Sequence, residues 1–194
     1  MRVFLGITGA SGAPYAVRLL QELSAAGCEV GVCASGAGIE VLATELHGDP
    51  SLPRDIVLAR LVHGLAGVRV YEPNDWSAPY ASGSAKVDGY VVCPCSMGTL
   101  AHIATGTMDN LIHRAASVAL KEGRKLVVVP RETPLSSIHL ENMLRARNAG
   151  AVILVAAPGF YNKPAGIDDL VAFLVSRCLD QLGIDNALSG RWGG

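Results

Sequence analysis

The chain has 194 residues, of which 50% are apolar and 17% are charged, and its formal net charge is −1 at pH 7. This length predicts one domain with a sizeable core, and the charge balance argues against a basic surface for nucleic acid. No apolar run reaches the ~20 residues of a membrane span, and the first residues lack the apolar core of a signal peptide. We therefore expect a cytoplasmic protein whose apolar excess is buried in a large core or in an oligomer.

The cysteines and histidines match none of the common spacings of disulfide frameworks or metal sites. The odd number of cysteines, five, without framework spacing predicts free thiols in a reducing compartment. Cys93 and Cys95 are separated by one residue, which favours small buried residues at a strand end over a zinc site. The five histidines show no metal-type pairing, so we expect no metal.

The chain begins with an apolar run at 2–8 that leads into residues 8–12 (Thr-Gly-Ala-Ser-Gly) and a helical pattern at 14–26. This order predicts a strand, a tight glycine turn and a helix N-terminus. Free N–H groups and the positive end of the helix dipole favour an anion there, usually a phosphate. Ser11 adds a hydroxyl donor. The alternative is a plain strand–helix turn without a ligand.

The details of this turn indicate which nucleotide it would bind. Gly9 and Gly12 are present, but Tyr15 stands where a dinucleotide fingerprint has its third glycine. The second apolar run, at 28–34, ends at Ser35 and not at the acidic residue that holds a ribose. NAD is therefore disfavoured, and a mononucleotide such as FMN fits better, with Ser35 as a further hydroxyl contact.

Strand and helix patterns alternate along the rest of the chain, which predicts an α/β fold with a doubly wound parallel sheet, Rossmann-like (flavodoxin-like), in a single domain covering 1–194. The loop at 47–55 carries no clear pattern. Further strands are expected at 68–71, 87–93, 125–129 and 151–155, and further helices at 36–46, 97–104, 109–122, 136–148 and 167–182.

Ligands of such sheets bind beyond the carboxyl ends of the strands, where this chain places hydroxyls, an Arg–Glu pair and a tyrosine. Arg114 and Lys121 share one helix face about 10 Å apart and either straddle phosphates or form a solvated basic face. Arg177 lies at the edge of an apolar stripe and needs either an exit to solvent or an anionic partner, which a phosphate or a structural carboxylate would supply. Glu132 is a proton donor or acceptor, or the ion-pair partner of Arg131.

A set of short motifs in order along the chain is similar to the flavin prenyltransferases of the UbiX type, within the flavoprotein group that also holds cysteine decarboxylases. The motifs are 8–12 (Thr-Gly-Ala-Ser-Gly), 74–76 (Asn-Asp-Trp), 81–84 (Ala-Ser-Gly-Ser), 93–99 (Cys-Pro-Cys-Ser-Met-Gly-Thr), 109–112 (Asp-Asn-Leu-Ile), 130–132 (Pro-Arg-Glu), 136–143 (Ser-Ser-Ile-His-Leu-Glu-Asn-Met), 158–161 (Pro-Gly-Phe-Tyr) and 191–193 (Arg-Trp-Gly). Each motif alone is weak, whereas all of them in order are highly specific.

The resemblance implies transfer of a prenyl group from dimethylallyl phosphate to N5 and C6 of reduced FMN, giving the prenylated FMN used by UbiD-type decarboxylases. It also implies a metal-free homododecamer with sites built from more than one subunit. The residues that it assigns to FMN are Gly9, Ala10, Ser11, Ser35, Ser96, Met97, Gly98, Thr99 and Arg114. Those that it assigns to the prenyl donor are Lys121, Arg131, Glu132, Tyr161 and Arg177, with Trp76 and Trp192 facing the prenyl group.

The catalytic steps that follow from the resemblance fall to Glu132, Ser11, Tyr161, Lys121 and Trp76, with Glu45 at an acidic position near the site. Trp192 belongs to a glycine-rich tail that we expect to dock on a neighbouring subunit. Three matters stay open: whether the donor is a monophosphate or a diphosphate, which decarboxylase is served, and which subunit supplies each residue. The alternatives are an FMN-dependent cysteine decarboxylase and a non-catalytic flavin carrier.

Overall fold

The computed structural model describes residues 1–190, in which each strand is followed by one or two helices, except that the third strand leads to the fourth without an α-helix. The six predicted strands and the six predicted helices are all confirmed within a few residues. The strands are β1 (Arg2–Ile7), β2 (Glu29–Ala34), β3 (Val68–Val70), β4 (Gly89–Cys95), β5 (Lys125–Pro130) and β6 (Val152–Ile153). The helices are α1 (Ala13–Ala25), α2 (Gly36–His47), α3 (Arg54–Val62), α4 (Met97–Thr105), α5 (Leu111–Lys121), α6 (Ser137–Asn148) and α7 (Ile167–Leu182).

The six strands form one parallel sheet in the order β3-β2-β1-β4-β5-β6. The central strands are apolar on both faces because helices cover both. One core layer lies against α1, α2, α3 and α7, and the other against α4 and α5. The chain direction across the sheet reverses between β1 and β4, which is where such folds open a ligand crevice. The predicted doubly wound, Rossmann-like fold is confirmed.

Hydroxyl and amide side chains start the helices that leave this crevice. Ser35 caps α2, Ser96 caps α4 and Asn110 caps α5, each accepting a hydrogen bond from a backbone N–H of the first turn. The Asn110 cap explains why α5 begins two residues later than the predicted start at 109.

Helix α3 is the element that the sequence analysis missed. Two prolines, Pro50 and Pro53, make this stretch read as a loop, but Pro53 stands just before the first helical residue and removes no helical hydrogen bond. Val57, Leu58 and Leu61 then bury the inner face of the helix. Among residues 1–190, no helix has the length and apolar character needed to cross a membrane.

Candidate functional site

Three helices begin at the carboxyl edge of the sheet, directly after β1, β2 and β4. The first-turn N–H groups of a helix have no acceptor within the helix, so they point at this edge as anion donors. The Ser35 hydroxyl accepts a hydrogen bond from Gly38 N at 3.0 Å, and the Ser96 hydroxyl accepts one from Thr99 N at 3.2 Å. Both predicted flavin-site serines therefore lie at helix starts on the same edge.

Thr8 fixes two of these turns relative to each other. Its buried hydroxyl donates to Pro94 O at 2.9 Å and accepts from Ser96 N at 2.8 Å. The turn after β1 and the start of α4 at 96–99 are thus one hydrogen-bonded unit across the switch point. Sequence analysis did not assign Thr8 a role in the site, although a hydroxyl at the end of a buried apolar strand is a usable signal.

The glycines of the first turn allow close packing as well as access for a ligand. A Cβ on Gly9 would lie 2.5 Å from the Ala37 Cβ, so the start of α2 rests directly on this turn. Gly12 has φ of 136°, a conformation that other residues rarely adopt. Gly9 is required by this close packing and Gly12 by its backbone conformation, whether or not a nucleotide is bound.

A carboxylate from α2 lies at the N-terminus of α1. Glu45 Oε2 accepts hydrogen bonds from Gly12 N at 3.0 Å and Ala13 N at 2.7 Å. We expected a phosphate at this helix end; in the structure its anion is the chain's own glutamate. The contact joins residues 33 positions apart, so the local pattern around 8–14 does not reveal it. The N-termini of α2 and α4 remain the helix ends suited to a ligand phosphate.

Arg131 reaches the first turn from the end of β5. Its Nε donates to Ser11 O at 3.3 Å, which brings together two predicted site residues that are 120 positions apart. The neighbouring Glu132 is exposed, and its carboxylate accepts from Thr133 N at 3.0 Å. Within residues 1–190 the two side chains form no ion pair with each other, so the ion-pair alternative is wrong.

Trp76 and Arg114 belong to two segments, a loop and α5, that are joined by a backbone hydrogen bond. The loop that carries Trp76 is held to α5 by a hydrogen bond from Leu111 N to Pro73 O at 2.7 Å, and the Trp76 side chain is about half exposed. Arg114 Nε donates to Ala81 O at 2.9 Å. The indole face is free to meet a ligand or a neighbouring subunit, while Arg114 is partly engaged by its own chain.

Lys121 and Arg131 lie at opposite ends of β5: Lys121 lies near its amino end, and Arg131 follows its carboxyl end. Lys121 ends α5 and pairs with Glu122, four positions before Lys125 opens β5, whereas Arg131 follows the last residue of that strand. A strand of this length spans about 16 Å. One chain therefore does not bring Lys121 to the cation at Ser11.

Tyr161 and Arg177 share a separate surface cleft of about 480 Å³. The Tyr161 ring packs edge-on against Phe173, with ring centroids 5.6 Å apart. Arg177 pairs with Asp180 at 2.8 Å, so a structural carboxylate, one of the predicted alternatives, is its partner in this chain. Trp192, expected to face the prenyl group, lies outside the described residues.

All five cysteines are free and buried. Burial raises the pKa of Cys33 to about 12 and that of Cys93 and Cys95, at the end of β4, well above the usual thiol value. Buried protonated thiols are poor nucleophiles and poor metal ligands. The interpretation of Cys93 and Cys95 as small buried strand residues is confirmed.

Comparison with known proteins agrees with this geometry. Residues 1–179 match the family model described as Flavoprotein. The chain is 52% identical to "Flavin prenyltransferase UbiX" of Pseudomonas aeruginosa, over 99% of this chain and 94% of that protein.

Two crystal structures give the same picture. That of AnUbiX in complex with FMN and dimethylallyl pyrophosphate superposes with a TM-score of 0.89 at 41% identity, covering 100% of this chain and 97% of the other. A dodecameric FMN-dependent UbiX-like decarboxylase from Escherichia coli O157:H7 gives 0.87 at 44% identity, with both chains fully covered. The chain belongs to the flavin prenyltransferase UbiX family, within the wider Flavoprotein family.

Proposed function

We propose that this chain transfers the dimethylallyl group of a dimethylallyl phosphate to N5 and C6 of reduced FMN. The observation that carries the proposal is the Arg131–Ser11 contact, which places a cation at the switch-point crevice of a chain 52% identical to a flavin prenyltransferase. A flavin carrier needs no such cation beside its flavin. Sequence identity at this level over nearly the full length also favours prenyl transfer over cysteine decarboxylation.

Reduced FMN, the prenyl acceptor, fits the edge made by the N-termini of α2 and α4. Ser35, Ser96 and Thr99 offer hydroxyls, and the helix starts offer N–H groups and positive dipole ends to the flavin phosphate. Outside its chain neighbours and its own helix, nothing lies within 4 Å of the position a Cβ on Gly98 would take, so a flat ring can approach the start of α4 closely. Gly9, Ala10 and Ser11 follow β1 and Met97 opens α4, so all four belong to this edge, and Arg114 on α5 adds a cation.

The donor phosphate leaves with the electron pair of the broken C–O bond, and cations stabilise it as it departs. Arg131, Lys121, Arg177 and the Tyr161 hydroxyl are assigned to this step. Lys121 lies at the amino ends of the strands, away from Arg131, and Tyr161 lies in a separate cleft. In this proposal the donor site is therefore assembled from more than one subunit. The surface of α6 supports an assembly, because Ile138, Leu140 and Leu144 are 66%, 53% and 62% exposed.

The allyl cation left behind needs an electron-rich, dry surface. The exposed Trp76 face supplies one by cation–π attraction, and Trp192 supplies a second one if the tail docks on a neighbouring subunit. N5 of the flavin attacks the cation and passes its own proton to the leaving phosphate. Protonation of the remaining double bond gives a tertiary cation that bonds to C6, and this ring closure releases the C6 proton. Glu132, exposed beside Arg131, is the acceptor for that proton and exchanges it with the leaving phosphate. Ser11 borders the flavin edge, and Glu45 holds the turn that carries it.

Two further features belong to the proposal. The prenylated FMN is delivered to a UbiD-type decarboxylase, and the protein works as a cytoplasmic homododecamer. The dodecameric state of the Escherichia coli O157:H7 relative supports the assembly.

The test is anaerobic incubation of the purified protein with reduced FMN and dimethylallyl phosphate, followed by the mass of the extracted flavin. We expect a gain of one C5H8 unit. Parallel reactions with the diphosphate donor identify the preferred leaving group, and oxidised FMN serves as the control without a nucleophilic N5. An unchanged flavin with both ligands bound would contradict the proposal.

A further inference from the structure

Two histidines and an aspartate that have no place in the proposed reaction meet at the corner between α4 and α5. His102 lies in α4, Asp109 stands before α5 and His113 lies in its first turn. One ring nitrogen of each histidine and one carboxylate oxygen lie within 4.8 Å of one another. The three residues are seven and four positions apart across a helix break, which is why the sequence showed no metal-type pairing.

His102 is oriented as a metal ligand usually is. Its Nδ1 lies 2.8 Å from Gly98 O, and a carbonyl oxygen only accepts, so the proton is on Nδ1. A backbone carbonyl in this role fixes the tautomer and aims the other nitrogen at an ion. That other nitrogen, Nε2, lies 2.6 Å from Asp109 Oδ2. Two lone pairs this close share a proton, which a metal ion binding here would displace.

His113 completes the cluster as a third donor. Its ring stacks on that of His102 with centroids 4.2 Å apart and planes 16° apart. Stacked rings cannot both face one ion, so one ring has to turn. The hydrogen bond to His113 Nδ1 from Asp109 N is long, at 3.4 Å, and restrains that ring little.

The nearest arginine does not take the place of an ion. Arg114 follows His113 directly, but its Nε donates to Ala81 O and its NH1 lies 3.7 Å from the Met108 sulfur. The ion-pair partner of Asp109 is His102. The carboxylate is therefore available to share a divalent cation with the imidazoles.

We propose that His102, Asp109 and His113 bind one divalent ion of the zinc class, Zn²⁺, Co²⁺ or Ni²⁺, with water completing the coordination. Imidazole with a single carboxylate suits these ions, whereas Mg²⁺ and Ca²⁺ prefer sites made of oxygen. The ion would fasten α4 to α5 and, through His102 and Gly98, steady the first turn of α4. Its role is to hold structure, and the prenyl transfer itself does not use it.

The test is a titration of metal-stripped wild-type protein with Co²⁺ at pH 7.5, followed by visible absorption. We expect the intense bands of a low-symmetry Co²⁺ site, saturating at one ion per chain and abolished by Zn²⁺. H113Q and D109N should weaken binding by about tenfold or more, with circular dichroism confirming their fold. H63Q, on the end of α3, is the matched control and should bind like the wild type.

Two results would overturn the proposal. One is the absence of saturable Co²⁺ bands in the wild type, which would mean that His102 and Asp109 share only a proton. The other is unchanged binding in folded H113Q and D109N, which would place the ion elsewhere. Neither result bears on prenyl transfer, which the flavin mass measures separately.

Discussion

The proposed site has two parts: the flavin half, where FMN would bind, and the donor half, where the prenyl phosphate would bind. The two halves differ in how many of their residues one chain brings together. In the flavin half, Thr8 ties two turns together and Glu45 holds the start of α1. In the donor half, Arg131 and Lys121 lie at opposite ends of β5, and Tyr161 lies in a separate surface cleft. In the proposed site, one chain brings the flavin-half residues together, whereas the donor half would need residues from more than one chain.

Removing a cation from the donor half should have the largest effect, because it should lower turnover without weakening flavin binding. We expect R131A and K121A each to lower kcat/KM for the prenyl phosphate by about 10²- to 10³-fold, because a departing phosphate loses one stabilising charge. Reduced FMN should still bind, as measured by flavin titration. R60A, an exposed arginine on α3, is the control. Equal loss of flavin binding and turnover in both variants would erase the distinction between the halves.

Glu132 tests whether the donor half also moves protons. E132Q keeps the size and the hydrogen-bonding oxygen but removes the base, so we expect turnover about 10²-fold lower with an unchanged KM. Single-turnover flavin mass over time measures the step directly. E141Q, an exposed glutamate on α6, should be indistinguishable from the wild type. Undiminished turnover in E132Q would remove its proton role.

Glu45 tests the flavin half, where the expected effect is on stability. E45A leaves two backbone N–H groups at the positive end of α1 without their carboxylate, which should lower the free energy of unfolding by about 1–2 kcal/mol in urea. E45Q retains an acceptor oxygen and should lose less. E40A, exposed on the same helix, is the control. A variant as stable as the wild type would show that the first turn is held without this carboxylate.

The smallest effect concerns the thiols beneath the flavin half. Burial raises the pKa of Cys33 and Cys178 to about 12. Because these folded pKa values exceed the ordinary thiol value of ~8.5, raising the pH to 9 should produce little thiolate. We expect slow alkylation of all five cysteines with or without FMN, and fast alkylation in guanidinium. Rapid reaction of one thiol without FMN would show that the crevice opens.

The same contrast explains what the sequence predicted. Ser35 and Ser96 could be assigned because a hydroxyl between a buried strand and a helix is a local pattern, and parallel strands bring such ends together. The Glu45–Gly12 contact spans 33 positions and the His102–Asp109–His113 cluster spans a helix break, so neither has a periodic signal. The spacing of Arg114 and Lys121 indicated a shared face but not which end of α5 meets the crevice.

Subunit mixing tests the central claim most directly. K121A and R131A chains carrying different tags are co-expressed, purified through both tags and assayed for prenylated FMN, with each variant alone as the control. If the two residues reach a donor site from different chains, random mixing restores about a quarter of the sites and a matching share of activity. Activity that stays at the level of the single variants would show that one chain supplies both residues, contradicting a donor site shared between subunits.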